Sequence, residues 1–152
     1  MSTRDREEVE LDVRYAIRLN ELHRRLYRRA QFILSFIGVA ASSAAVTAAI
    51  SRSPTAVLLT GLVAALTGFA GAMINWGAMA ERRSGYCRKY RAILNGNLPT
   101  AELDCAYHSV DVEDDDIESL RIVAYHDNAR ANGKNHWIVE ETWLQRFWRV
   151  LA

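Results

Sequence analysis

Charge is what the middle of this chain lacks. Between Ala30 and Ala80 there is one charged residue, Arg52, close to Pro54. Every other Lys, Arg, Asp and Glu lies outside that stretch. A composition that averages to an ordinary 50% hydrophobic and 24% charged therefore hides a segregated chain. Cysteine is nearly absent: Cys87 and Cys105 are the only two, which excludes a disulfide framework. A signal peptide is not expected, because MSTRDREEVE has acids, no early apolar run and no small-residue cleavage site. A net charge of +1 provides no global pull toward nucleic acid, and none is expected as a partner. At 152 residues there is room for about one domain.

Patterns that carry chemistry are also missing. Cys105-x-x-His108 has ligand-like spacing, but His126, His136 and Cys87 supply no tight second pair of the kind structural zinc needs. The run Val112-Glu113-Asp114-Asp115-Asp116 lacks the glycine and the spaced acids of a calcium loop and reads as solvated. No glycine-rich phosphate loop and no nucleophile elbow occurs. Glu140 and Glu141 read as the polar edge of a helix. No catalytic residue, cofactor or metal ligand is assigned, and an enzyme is not expected.

What is present is helical throughout. The uncharged stretch reads as two membrane-spanning helices joined by a tight turn. Residues 30–51 would be about 33 Å long as a helix, enough for a hydrocarbon core of about 30 Å. Ser53 and Pro54 make a good helix start, with proline at the first helical position. Residues 55–80 are long enough to span with tilt. A soluble hairpin with an unusually apolar core is the alternative.

Each span has two kinds of face. Phe32, Phe36, Val39, Val46 and Ile50 on the first, and Leu58, Leu62, Leu66, Phe69, Met73 and Trp76 on the second, form bulky stripes suited to lipid. Gly38, Ala41, Ser42, Ala45 and Ala49 on the first are small. So are Gly61, Ala65, Gly68 and Ala72 on the second, with Thr60, Ala64, Thr67, Gly71 and Asn75 beside them. Small residues let helix backbones approach, and packing drives association inside lipid. Two readings stay open. The small faces hold one hairpin shut, or they also join hairpins of several chains, with Thr60, Thr67 and Asn75 facing a central pathway.

Basic residues set the orientation. Arg24, Arg25, Arg28 and Arg29 precede the first span, and Arg82 and Arg83 open a second basic cluster after the other. The positive-inside rule then places both termini in the cytoplasm, where thiols stay reduced.

Residues 1–29 form the first cytoplasmic piece. Ser2 or Thr3 is the expected cap, and Leu11, Tyr15, Leu19, Leu22 and Leu26 make one apolar stripe. The stripe suits packing on this chain's own second stalk, or self-association between chains. Residues 81–152 form the second piece. The second span is expected to run unbroken to about Leu94, with Tyr86, Tyr90, Ile93 and Leu94 able to meet the first stalk, and to stop at Asn95-Gly96-Asn97-Leu98-Pro99. A short helix capped by Thr100 follows. Next comes one capped by Asp115 or Asp116 that ends near Asn132-Gly133, and last a Trp-rich helix over Trp137–Ala152. Tryptophan favours the membrane interface, so the last helix lies along the inner surface or packs on the stalks.

The order of parts resembles the SLATT family of bacterial two-span proteins. It runs from an amphipathic helix with a basic anchor (Leu11 to Arg29) through a hairpin with a very short turn (Ala30 to Ala80). A helix with Tyr86-x3-Tyr90 and a segment SLRIVAYHDNARANG (Ser119 to Gly133) follow. The resemblance implies an all-α fold, in which a two-span transmembrane hairpin is extended by cytoplasmic helical stalks and short cytoplasmic helices. It further implies a homo-oligomeric effector in the bacterial inner membrane that forms pores when a partner senses infection, often through a nucleotide second messenger. No sensor domain is visible, so the trigger would come from a separate sensor protein or a nucleotide signal. A non-pore membrane adaptor that recruits a cytoplasmic partner, and a phage holin-like or superinfection-exclusion protein, are the rival readings.

Overall fold

A computed structural model describes residues 4–50, 53–112 and 116–152. Among the described residues every regular element is helical. In order these are α1 (Arg6–Ile50), α2 (Pro54–Met73), α3 (Trp76–Asn95), α4 (Thr100–His108), α5 (Glu118–Ala131), a 3-10 turn (Asn135–Trp137) and α6 (Trp143–Leu151). The expected caps Ser2, Thr3 and Asp115, like Arg52, lie outside the described residues.

Local sequence explains most helix ends. Glu7 and Glu8 occupy the first turn of α1, where the helix dipole favours acids. Pro54 opens α2 from Ser53, whose side chain makes no capping bond. Gly133 takes φ +72. There its amide meets the Arg130 carbonyl at 3.2 Å and that of Lys134 meets Ala129 at 2.8 Å. That is a Schellman stop for α5, and a left-handed residue is what it needs.

Three expectations change. α2 and α3 are not one helix: Ile74 is extended (φ −107, ψ 105), and the Asn75 side chain restarts the helix by accepting the Ala78 amide at 3.0 Å. Neither Thr100 nor Asp116 caps its helix, because Pro99 and Ile117 occupy those positions. The last α-helix begins at Trp143, not Trp137. Thr142 and Gln145 form a reciprocal capping box there, with contacts of 3.3 and 2.9 Å.

The chain divides into two compact units, Met1–Leu26 with Ala80–Ala152, and Tyr27–Met79. The first has two apolar centres. In one, Leu19, Leu22 and Leu26 of α1 pack with Leu120, Val123 and Ala124 of α5, with Trp148 and Leu151 against them. In the other, Val13 and Ala16 meet Tyr86 and Tyr90 of α3. The leucine stripe of α1 is therefore spent on partners within its own chain.

The second unit is an antiparallel helical hairpin. The Tyr27 and Trp76 rings lie 5.9 Å apart, a Cβ on Gly38 would meet the Thr67 hydroxyl at 3.4 Å, and the Ser53 amide donates to Ala48 at 3.1 Å. Its outer surface is apolar: Phe32, Phe36, Ile50, Leu58, Phe69 and Met73 are all more than 60% exposed. Two helical stretches, Arg6–Ile50 and Pro54–Asn95, are long and apolar enough to cross a membrane, and almost none of their apolar windows is buried within the chain. Neither window is a covered core helix of this fold.

Candidate functional site

The hairpin contains an open groove of about 620 Å³. Antiparallel packing of the two small faces makes it. Gly38 and Thr67 bring the helices together, and from there the lining includes Gln31, Ser42, Gly71, Asn75 and Trp76. Of the residues singled out from sequence, Gly38, Ser42, Thr67, Gly68, Gly71 and Asn75 share this groove, while Thr60 and Gly61 are not among its lining.

The polar groups of the groove are mostly satisfied by their own helix. Ser42 donates to the Gly38 carbonyl at 2.8 Å and Thr67 to Val63 at 2.9 Å. Outside the groove, Thr60 donates to Ala56 at 2.7 Å. A hydroxyl tied back one turn can face lipid without an orphaned donor. Asn75 spends its side-chain oxygen on the α3 cap. The exception is Trp76, whose indole nitrogen is buried and makes no hydrogen bond; leaving such a donor unmet costs about 1–3 kcal/mol.

The glycines divide into two sets. Gly38 and Gly77 are in close contact across the hairpin, the second with the Gln31 side chain, whose Oε1 a Cβ would meet at 3.4 Å. Gly61, Gly68 and Gly71 have nothing within 4 Å of the position a Cβ would take. The second set does not hold this hairpin shut. Its smoothness faces open space.

Sequence reading missed Gln31 and Trp76 as groove residues. Gln31 is a lone amide at the start of an apolar run. By its spacing Trp76 belongs to the lipid stripe, whereas it sits half-buried against Tyr27. No lining residue carries an ionisable side chain. The groove can take a neutral, partly polar surface or water, and its serine and threonine hydroxyls have no ionisable lining residue beside them to act as general acid or base. Among the described residues no group of three or more His, Cys, Asp and Glu could hold a metal ion.

The arginine anchors also divide. Arg25, Arg28, Arg29 and Arg82 are exposed, and Arg24 is half-buried. Arg83 differs from its expected place at a headgroup surface: it is 2% exposed, pairs with Asp116 at 2.9 Å and donates to the Asn20 side chain at 3.2 Å. Beside it lies His23, fully buried. The Ile117 amide donates to His23 Nε2 at 3.1 Å, so that nitrogen is the acceptor and Nδ1 carries the proton, facing the Leu19 carbonyl at 3.0 Å. This polar cluster ties the start of α5 to α1 and α3.

In the first unit burial pushes the Cys87 thiol up, with Glu21 adding to the shift, whereas Cys105 is exposed. Burial likewise pushes the Tyr90 phenol up to about 12.

No family model, curated protein or solved structure matches this chain.

Proposed function

We propose that the protein is an oligomerising membrane effector: a two-span hairpin of the bacterial inner membrane, both termini cytoplasmic, that self-associates and depolarises the bilayer when a separate sensor or nucleotide signal triggers it. In this reading it is not an enzyme. The observation that carries it is the second glycine set. At Gly61, Gly68 and Gly71 a Cβ would have nothing within 4 Å, and in lipid a smooth helix face of that kind is where another helix packs. The open groove beside Gly68 and Gly71 supplies the concave half of such a contact.

The test is induced expression with a potential-sensitive dye, in the presence of the cognate genes. Loss of potential that Gly68→Leu abolishes supports the reading; intact potential and normal growth under full induction argue against it.

A second reading has its own support. The Thr60 and Thr67 hydroxyls are satisfied within their helix, so neither needs a water-filled pathway. That favours a non-pore adaptor whose hairpin anchors and whose other unit recruits a partner. Thr60→Val and Thr67→Val separate the two. The adaptor tolerates both, and a conducting pore lined by these residues does not.

A further inference from the structure

α6 has a wider apolar arc than its core can use. Trp148 and Leu151 pack on the α1–α5 centre, and Ala152 is buried there. Trp143 and Val150 remain 78% and 77% exposed, Phe147 is half exposed, and Val139, just before the helix, is 71% exposed. At 3.6 residues per turn, Val150, Trp143 and Phe147 fall on one side of the helix, with Leu144 at its edge. This is a second apolar face, separate from the charged edge where Arg149 pairs with Glu141 and, at 3.2 Å, with Asp127.

The flank of that face carries Arg146, which is exposed and lines a shallow surface pocket with Glu140 and Glu141; α6 itself has no acidic residue. The reciprocal Thr142–Gln145 box gives the helix its own start, so its geometry does not wait on a partner. Tryptophan, phenylalanine and valine on one side with arginine at the border is the pattern of a helix lying in a headgroup layer. Exposed apolar area of this kind on a soluble surface invites aggregation.

We infer that α6 is an interfacial helix whose Trp143–Phe147–Val150 face inserts shallowly into a lipid surface, giving the chain a second membrane contact besides its hairpin. This rests on the membrane reading above, which supplies the bilayer: a surface to which the hairpin tethers the helix needs little affinity per contact, because the tether raises its effective concentration.

The test uses the full chain in lipid nanodiscs of phosphatidylethanolamine and phosphatidylglycerol, with both faces accessible. Cys105→Ser removes the exposed thiol, and buried Cys87 is checked for silence. An environment-sensitive dye is then placed at Val150→Cys or, separately, at Leu66→Cys in α2. The expected result is that bromine near the headgroups quenches the Val150 dye several-fold more than bromine deep in the acyl chains. Aqueous iodide should reach it poorly, and the Leu66 dye should respond to deep bromine. Iodide quenching at Val150 with lipid quenching kept at Leu66 overturns the inference and leaves the hairpin in the membrane. Shielding of Val150 from both quenchers assigns the face to protein and also overturns it. Iodide quenching at both positions removes the membrane reading itself.

Discussion

Arg83 Nη1 lies 2.9 Å from Asp116 Oδ1, with the two side chains only 2% and 11% exposed. A charge pair so far from water is held by its partner and its neighbours together. Asn20 accepts a hydrogen bond from the same guanidinium, and Arg121 approaches the other Asp116 oxygen at 3.5 Å. Arg83→Met leaves the aspartate without its buried cation and is expected to destabilise the first unit by about 3–5 kcal/mol, toward the low end because Arg121 remains. Thermal unfolding of the detergent-solubilised chain, followed by near-ultraviolet circular dichroism, measures it. The double change Arg83→Met with Asp116→Leu recovers much of the loss; no recovery would show that the guanidinium acts by something other than pairing.

Glycine substitutions separate folding from association. Leucine at Gly38 must displace Thr67, which sits at contact distance already, and is expected to loosen the hairpin by about 1–3 kcal/mol. At Gly68 a Cβ would have nothing within 4 Å, and the open groove beside it leaves room for a longer side chain. Gly68→Leu is expected to leave the hairpin's melting unchanged and, under the proposed self-association, to reduce the size seen by light scattering in detergent. Equal effects of the two on monomer stability would contradict the division of the glycines.

Asn75 holds the restart of α3. Asn75→Ala removes the side-chain oxygen that accepts the Ala78 amide and is expected to cost about 1 kcal/mol. Hydrogen exchange at Ala78 should speed up, with little change in the middle of α2. Unchanged protection at Ala78 would mean the break does not depend on the cap.

Alkaline pH probes the second apolar centre. Burial is the first cause that raises Tyr90 from 10 to about 12, with Tyr107 adding to it. The folded state therefore holds the phenol proton more tightly than the unfolded chain. That contribution to stability is complete below about pH 10 and is lost as pH rises through about 12. Tyr90→Phe should flatten this part of the stability profile, read as unfolding against pH alongside phenolate absorbance. A phenol that titrates near 10 in the folded protein would show the site to be wet.

Several features were legible because they are local. The four- and three-residue steps of Leu11, Tyr15, Leu19, Leu22 and Leu26 fall on one helix face whatever else the chain does. All but half-buried Tyr15 are buried as that spacing requires. The stop at Asn132-Gly133 was visible for the same reason. The break at Ile74–Asn75 was not. Asparagine is a favoured cap, but inside an apolar run it reads equally well as a polar residue facing water. Thr142-x-x-Gln145 carries the start of α6, but the longer apolar pattern from Trp137 masks it. In the groove, Gly38 and Ser42 lie with Thr67, Gly68, Gly71 and Asn75, while Thr60 and Gly61 of the same pattern lie outside it; spacing along one helix says nothing of which glycine meets a neighbour.

By itself the sequence determined a helical chain with two uncharged stretches of membrane length, since charge and periodicity act within a few turns of one helix. Tertiary structure decided that Arg83 is a buried partner of Asp116 and not a surface anchor, because the acid arrives from another element. It also decided that Gly38 closes the hairpin while Gly61, Gly68 and Gly71 stay open. Contact across helices depends on where two backbones cross, and no single segment carries that information.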